Sequence, residues 1–266
     1  MKKETVKNIV VIGSGNVASG LAPLFQNAGY KIMQIYSRNS KSAEYLAKIL
    51  SVPYITDLRK IEKNAWLYLI AVKDDSVKGL VMSMGKNPGL MVHTSGSIDM
   101  DVFDRYSENH GVFYPLQTFS ADTALSVDKF PICIEANTLV NLEKLKTIAS
   151  SIAGRENVYK ITSHQRKIIH LAAVFACNFT NHFYTIAQSI LQKEHLPFDL
   201  LKPLILETAQ KIKSLSPSGS QTGPAVRNDN KIMETQLRLL SDSPEYKQLY
   251  KIISRSIVKA KEVTQQ

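Results

Sequence analysis

Val10-Val11-Ile12-Gly13-Ser14-Gly15-Asn16-Val17-Ala18 decides how this chain is read. An apolar run stops at a glycine, a second glycine follows one residue later, and a helical pattern begins at once, giving G-x-G-x-x-A. Each small residue has a task in a strand–turn–helix unit. Gly13 permits the tight turn, Gly15 lets the backbone approach a ligand with no Cβ in the way, and Ala18 keeps the helix close to the sheet. Free N–H groups of Ser14, Gly15, Asn16 and Val17 at the helix start then face an anion. The pattern leaves the first apolar run of the chain and opens a helix that Gly29 ends, which is the context the motif requires. A pyrophosphate cradle is a better reading than a tight turn with no ligand.

The next strand, over 31–36, ends in Tyr36-Ser37-Arg38-Asn39. A site for NAD places Asp or Glu here to hold the ribose hydroxyls. A carboxylate would repel a 2′-phosphate, whereas Arg38 pairs with one, Ser37 donates a hydrogen bond and Lys41 adds charge. The expected cofactor is NADP(H).

Outward from this unit, short apolar runs alternate with helical patterns. Strands are expected over 8–12, 31–36, 54–55, 66–72, 90–93, 111–114, 132–135 and 158–161. Helices are expected over 16–28, 42–50 and 77–84, with another capped by Asn137 and reaching Ala149. The segment 115–131 reads as irregular. Beyond Ser163 strand signals vanish, and helices are expected over 165–194, 197–215, 229–240 and 244–263. Ser243-Pro244 is a good start for the last of these, which carries Tyr246, Leu249, Tyr250, Ile253 and Ile257 on one face. The fold class is therefore α/β: an N-terminal doubly wound Rossmann-type parallel sheet over 1–160, then an all-α C-terminal domain over 161–266.

Composition agrees with a globular protein. In 266 residues, 44% are hydrophobic and 21% charged, with Gly 12 and Pro 10, which excludes disordered, collagenous and disulfide-scaffold classes. The net charge of +10 favours anionic partners. The basic residues are dispersed, and the stripe Lys247, Lys251, Arg255, Lys259 reads as a solvated face, so nucleic acid is not expected as a partner. Cys133 and Cys177 read as buried thiols in a reducing cytoplasm. Met1-Lys2-Lys3 resembles a secretory n-region, but no adequate apolar stretch follows. Between Lys167 and Lys193 no charged residue occurs, yet His170, Asn178, Asn181, His182 and Gln188 are costly in lipid. A helix buried in a domain or dimer interface fits better than a membrane span.

Ligands of such sheets lie beyond the carboxyl ends of the strands. One distinctive end is Ala71-Val72-Lys73-Asp74-Asp75-Ser76, where small residues let a dinucleotide pass, Lys73 is a candidate acid, and Asp75 or Ser76 caps a helix. The second is His93-Thr94-Ser95-Gly96-Ser97, which sets an imidazole and three hydroxyls where nicotinamide and substrate would meet. His93 reads either as catalytic or as structural. Tyr114-Pro115-Leu116-Gln117-Thr118-Phe119 is either a rigid packed loop or a wall of the pocket. On the first long helix of the C-terminal domain, a rotation of about 100° per residue puts His170, Asn181 and Gln188 nearly in line, with Asn178 and His182 beside them. That stripe either meets a partner subunit or water, or binds substrate. Arg227, ahead of a helix that Asp229 would cap, is suited to grip a carboxylate. No metal-ligand spacing stands out.

Together the residues over 13–18, 71–76, 93–97, 114–119, 172–182 and 222–229 resemble the Rossmann-like proteins with a C-terminal DUF2520 domain. Those are related to the superfamily of 6-phosphogluconate dehydrogenase, ketopantoate reductase and pyrroline-5-carboxylate reductase. The resemblance implies an NADP-binding domain and a helical domain that dimerises, with the active site between them. The candidate cofactor contacts are Gly13, Ser14, Gly15, Asn16, Val17, Ser37, Arg38, Ala71, Val72, Lys73, Thr94 and Ser95. The candidate substrate contacts are Ser95, Gly96, Asn178, Asn181 and Arg227, and Asn178 is also a candidate catalytic residue beside His93, His182 and Lys73. Hydroxyacid dehydrogenases of the superfamily carry Lys four residues before the helix Asn; if Asn178 is that residue, this chain has Val174 in its place. The proton must then come from His93, His182 or Lys73. The expected function is NADPH-dependent reduction of a small anionic carbonyl or imine compound, with ketopantoate-like 2-keto acids as a candidate class. The alternative is a non-catalytic NADP-binding sensor or scaffold.

Overall fold

A computed structural model describes residues 7–120 and 129–264. Eight strands form one sheet: β1 (Asn8–Ile12), β2 (Lys31–Tyr36), β3 (Tyr54–Ile55), β4 (Leu67–Ile70), β5 (Leu90–His93), β6 (His110–Pro115), β7 (Ile132–Ala136) and β8 (Val158–Lys160). Their order is β3-β2-β1-β4-β5-β6-β7-β8. Every expected strand is present. All neighbours run parallel except β6 and β7, which pair antiparallel from Gly111↔Ala136 to Pro115↔Ile132. The chain steps outward from β1 to β3 and then returns to place β4 on the other side of β1. The switch point between β1 and β4 is where a doubly wound sheet opens a crevice.

The central strands are apolar along their length because both faces are covered. Ile9 and Val11 of β1 pack with Leu21 and Phe25 of α1 (Asn16–Asn27) in one layer, which α2 (Ser40–Leu50) and α4 (Leu139–Ala153) extend through Leu46, Leu145 and Ile148. Val10 and Ile12 face the other layer, with Val77 and Val81 of α3 (Asp74–Met84). Leu67 and Leu69 against Tyr68 and Ile70 repeat the alternation in β4. Each enclosed aliphatic side chain contributes roughly 1.5–3 kcal/mol.

Several boundaries depart from the sequence reading, and capping explains most. Helix α2 starts two residues early because Asn39 accepts the Ser42 N–H at 3.2 Å. Helix α4 is capped by Thr138, not Asn137, whose amide is drawn to the Glu108 carbonyl at 2.8 Å. Helix α3 begins at Asp74 with Lys73 in the capping position, so neither Asp75 nor Ser76 caps it. The described parts of the irregular 115–131 segment end at Ser120 and resume at Lys129; 121–128 and the Met1-Lys2-Lys3 opening lie outside the described residues.

Helix α5 (Ser163–Ala173) opens with a capping box between Thr162 and Gln165. The continuous helix expected over 165–194 is interrupted: Val174–Phe179 winds as a π-helix before α6 (Thr180–Lys193). A π-turn advances less per residue than an α-turn, so the in-line stripe drawn from His170 to Asn181 and Gln188 loses its phase.

The chain forms two compact units, the first ending at Ala176 and the second starting at Cys177. In the second, α7 (Lys202–Lys211) is shorter than expected and follows a separate 3₁₀ turn, Phe198–Leu201. Helix α8 (Asn230–Leu239) is capped by Asp229, as expected. The apolar face of α9 (Pro244–Thr264) lines a cavity of 310 Å³ together with Phe183, Ile186 and Ile190 of α6. Among the described residues no helix is long and apolar enough to cross a membrane. Cys133 is buried and its thiol pushed up to about 11 by desolvation, but Cys177 is exposed, contrary to expectation, because it stands on an uncovered face of the π-turn.

Candidate active site

The turn after β1 is built as its sequence requires. Gly13 has φ +119°, and its N–H donates to the Tyr36 carbonyl at 2.8 Å. A Cβ there would stand 2.1 Å from the Ala71 carbonyl oxygen. Gly15 differs: its φ of −83° suits any residue, and a Cβ on it would meet nothing within 4 Å. Neither strain nor packing calls for glycine at this position. What the missing side chain leaves open is a cavity of 750 Å³ beyond the ends of β1, β2 and β4, lined among others by Gly13, Ser14, Gly15, Arg38, Val72 and Lys73. Helix α1 opens onto it with no side-chain cap, whereas α4 and α5 have theirs. Unclaimed N–H groups at a helix start with a bare Cα beside them fit a phosphate ligand.

The far end of the cavity is edged with hydroxyls and one guanidinium. Arg38 is exposed and donates to Ser76 Oγ at 3.3 Å, and Ser14 and Ser42 share a hydrogen bond of 2.7 Å. Ser37 Oγ accepts the Asn39 N–H at 3.2 Å, which holds the loop in place. Asp75 is the acidic lining residue, against Arg38 and Lys73. Among the described residues Arg38 has no carboxylate partner, so its charge is available to an anion. Phe119 packs over Gly20 of α1, where a Cβ would stand 2.1 Å from its ring, so the 114–119 loop is anchored across α1.

The end of β5 carries a correction. His93 is fully enclosed, with its ring stacked on Phe103 at 5.6 Å. Its Nδ1 accepts the Ser95 N–H at 3.2 Å. Burial, reinforced by the Arg166 charge, pushes its pKa down to about 3, so the ring is neutral at ordinary pH. Of the two roles read for His93, catalytic and structural, its enclosure favours the structural one, because β5 is covered on both faces to its last residue. Thr94 is also buried, with its hydroxyl 3.5 Å from the Ile70 carbonyl. Ser95 Oγ accepts from Ser97 N–H at 3.0 Å and Ile98 N–H at 3.1 Å, which leaves its own proton to donate. Gly96 is buried beneath His170 and does not offer the open backbone expected of a substrate contact.

Two features escaped the sequence reading. Arg166 is fully enclosed, pairing with Glu135 Oε2 at 2.6 Å and donating to the Ile98 carbonyl and, at 3.1 Å, to Ser163 Oγ. Tyr114 Oη and His170 Nδ1 lie 3.0 Å apart, joining the end of β6 to α5. Neither pair has a local signature; the polar Glu135 in an apolar strand was the one available hint. Lys73 is exposed at the cavity mouth. Asn178, Asn181, His182 and Arg227 belong to the second unit, where all four are exposed.

Comparison with known proteins agrees with this arrangement. Residues 8–92 match the family model described as NADP oxidoreductase coenzyme F420-dependent, and residues 130–257 match DUF2520, a domain of unknown function. A proposed NADP oxidoreductase from Bacteroides fragilis is 43% identical over 95% of this chain and 98% of its own, with a TM-score of 0.88. An imine reductase from Myxococcus stipitatus, solved with NADP+, shares the fold at 15% identity, covering 96% of this chain and 93% of its own, with a TM-score of 0.64. A curated shikimate dehydrogenase-like protein from Haemophilus influenzae is 32% identical over 71 residues, which is 27% of this chain and only a quarter (25%) of that protein's length.

Proposed function

Because this chain belongs to the family of Rossmann-type NADP oxidoreductases with a C-terminal DUF2520 domain, we propose that it binds NADP(H) beyond β1, β2 and β4 and reduces a small anionic carbonyl or imine compound. The observation that carries this reading is the pairing of Gly15, bare over a 750 Å³ cavity, with an uncommitted Arg38 where an NAD site would hold an acid. The N–H groups of Ser14, Gly15, Asn16 and Val17 receive the pyrophosphate, and Gly13 keeps their turn tight. Arg38 and Ser37 hold the 2′-phosphate. Ala71, Val72 and Lys73 border the path of the dinucleotide, and Ser95, with Thr94 fixing its strand end, presents a donor at the end of β5. Reduced nicotinamide supplies a hydride when bound. Ketopantoate-like 2-keto acids are the substrate class to try first. Asn178, Asn181, His182 and Arg227 are proposed as substrate-recognition groups, Arg227 by gripping a carboxylate.

The second unit leaves Leu200, Leu204 and Leu206 at 62%, 63% and 62% exposure, apolar surface of the kind that copies of one chain bury against each other. We take the protein to be a cytoplasmic homodimer; two unpaired thiols suit a reducing compartment.

A second reading, an NADP-binding sensor or scaffold without catalysis, rests on Val174, which takes the place of the Lys of related dehydrogenases if Asn178 is their helix Asn. Calorimetric titration with NADPH and NADH, followed by NADPH absorbance against a panel of 2-keto acids and cyclic imines, separates the possibilities. We expect NADPH to bind at least about tenfold tighter than NADH. Binding of neither cofactor overturns the proposal, and binding without turnover across the panel turns it to the sensor.

A further inference from the structure

Helix α5 is fastened along the loop that follows β5. Ser163 Oγ accepts the Met100 N–H at 3.1 Å, Arg166 donates to the Ile98 carbonyl, and Lys167 Nζ meets Asp99 Oδ2 at 2.6 Å. Ser163, Arg166, Lys167 and His170 recur at helical spacing, so these anchors and His170 share one face of the helix. The next turn after the anchors sets His170 against Gly96, where a Cβ would stand 2.5 Å from its Cγ and 2.7 Å from its Nδ1. Tyr114 approaches from the end of β6, its ring edge-on to the imidazole at 6.0 Å and its Oη 3.0 Å from Nδ1. Three elements thus fix this ring. The residue is only half-buried, and among the described residues its Nε2 has no hydrogen-bond partner. His93, at the end of the neighbouring strand, is sealed from any ligand.

Building on the reductase reading above, we propose that His170 is the residue that gives the substrate its proton, with Tyr114 and Gly96 as positioning residues that hold its ring. In this assignment Tyr114 Oη accepts from Nδ1–H, which leaves Nε2 as the nitrogen that gives or takes a proton. In the reduction the substrate carbon gains a hydride with its electron pair from NADPH, and the C=O or C=N π pair moves onto the heteroatom. That atom takes the Nε2 proton of the imidazolium. The ring is left neutral with Nδ1–H still donated to Tyr114, and water restores the Nε2 proton. A Lys at position 174 is then unnecessary.

The test is the tautomer of His170 in the full-length protein, read from long-range ¹H–¹⁵N spectra at a pH that neutralises the ring. The resonances are assigned by their loss in His170→Gln, or in His170→Asn should the first variant fold poorly. We expect the Nδ1–H form in the wild type and a return to Nε2–H, the form free histidine prefers, in Tyr114→Phe. In turnover, His170→Gln should lower kcat by about 100-fold or more with NADPH affinity unchanged. Tyr114→Phe should lower kcat less and displace the pH profile. An Nε2–H tautomer in the wild type, or an undiminished kcat in His170→Gln, overturns the assignment. Failure of the wild type to bind NADPH would instead bring down the reductase reading, and the two results are read separately.

Discussion

A Cβ on Gly13 would stand 2.1 Å from the carbonyl oxygen of Ala71, while two residues later one on Gly15 would touch nothing within 4 Å. The two glycines of one motif thus differ: the first is required by the protein's own backbone, and the second, in the proposed site, by the ligand. Gly13→Ala forces a side chain onto φ +119° and into β4's outgoing strand end, so it should destabilise the fold by more than about 2 kcal/mol. Gly15→Ala replaces a tolerable N-cap residue with a poorer one and should stay within about 1 kcal/mol of the wild type. It should nevertheless weaken NADPH binding at least about tenfold. Urea unfolding beside cofactor titration checks both; equal losses of stability would contradict the distinction.

Among the described residues Arg38 donates only to the neutral Ser76 hydroxyl, at 3.3 Å, so its charge has a single use in the proposed site. Arg38→Asp removes a charge-assisted hydrogen bond and adds repulsion toward a 2′-phosphate. The expected loss is about 100-fold in NADPH affinity and about threefold or less for NADH, measured by fluorescence titration. Added salt should weaken NADPH more than NADH in the wild type, because the contact is exposed and screened. Equal loss for both cofactors would remove the 2′-phosphate from this end of the cavity.

These two features were legible in the sequence because each is local. A turn that needs φ above zero and a strand end without a carboxylate are written within a few residues, and the eight strands follow from apolar runs with a clear beginning and end. Features formed by distant partners were not legible. The antiparallel turn of β7 reverses a pattern that reads the same in either direction. The π-helix at Val174–Phe179 has no compositional mark in an apolar stretch. The burial of His93 and the pairing of His170 with Tyr114 were hidden for a related reason. The run Leu90–His93 is buried on both faces to its last residue, and the pairing that fixes His170 spans 56 residues.

Arg166 and Glu135 are the clearest case of such a distant pair, 2.6 Å apart with the arginine fully enclosed. Ser163 N–H and Oγ add bonds to the same carboxylate at 2.9 and 2.7 Å. Removing one charge strands the other in a poorly solvated place. Arg166→Met should therefore cost about 3–5 kcal/mol, and Arg166→Met with Glu135→Leu should recover a large part of it. Chemical unfolding of the three proteins measures the coupling; a double variant as weak as the single would show that the pair contributes more than mutual neutralisation.

His93 links this cluster to pH. Its pKa falls from the ordinary 6.5 to about 3, through burial first and then the Arg166 charge. Between those values the unfolded chain binds the proton and the folded chain does not, so this ring's contribution is whole above pH 6.5 and is lost progressively as the pH falls toward 3. From pH 7 to pH 5 the loss is about 2 kcal/mol. In His93→Asn the side-chain oxygen can still accept the Ser95 N–H, but nothing titrates. That variant should start less stable at pH 7, for want of the ring's packing on Phe103, yet lose about 2 kcal/mol less on acidification to pH 5. Unfolding free energies of the two proteins at both pH values decide the matter: parallel declines would mean that His93 takes up its proton in the folded chain as readily as in the unfolded one.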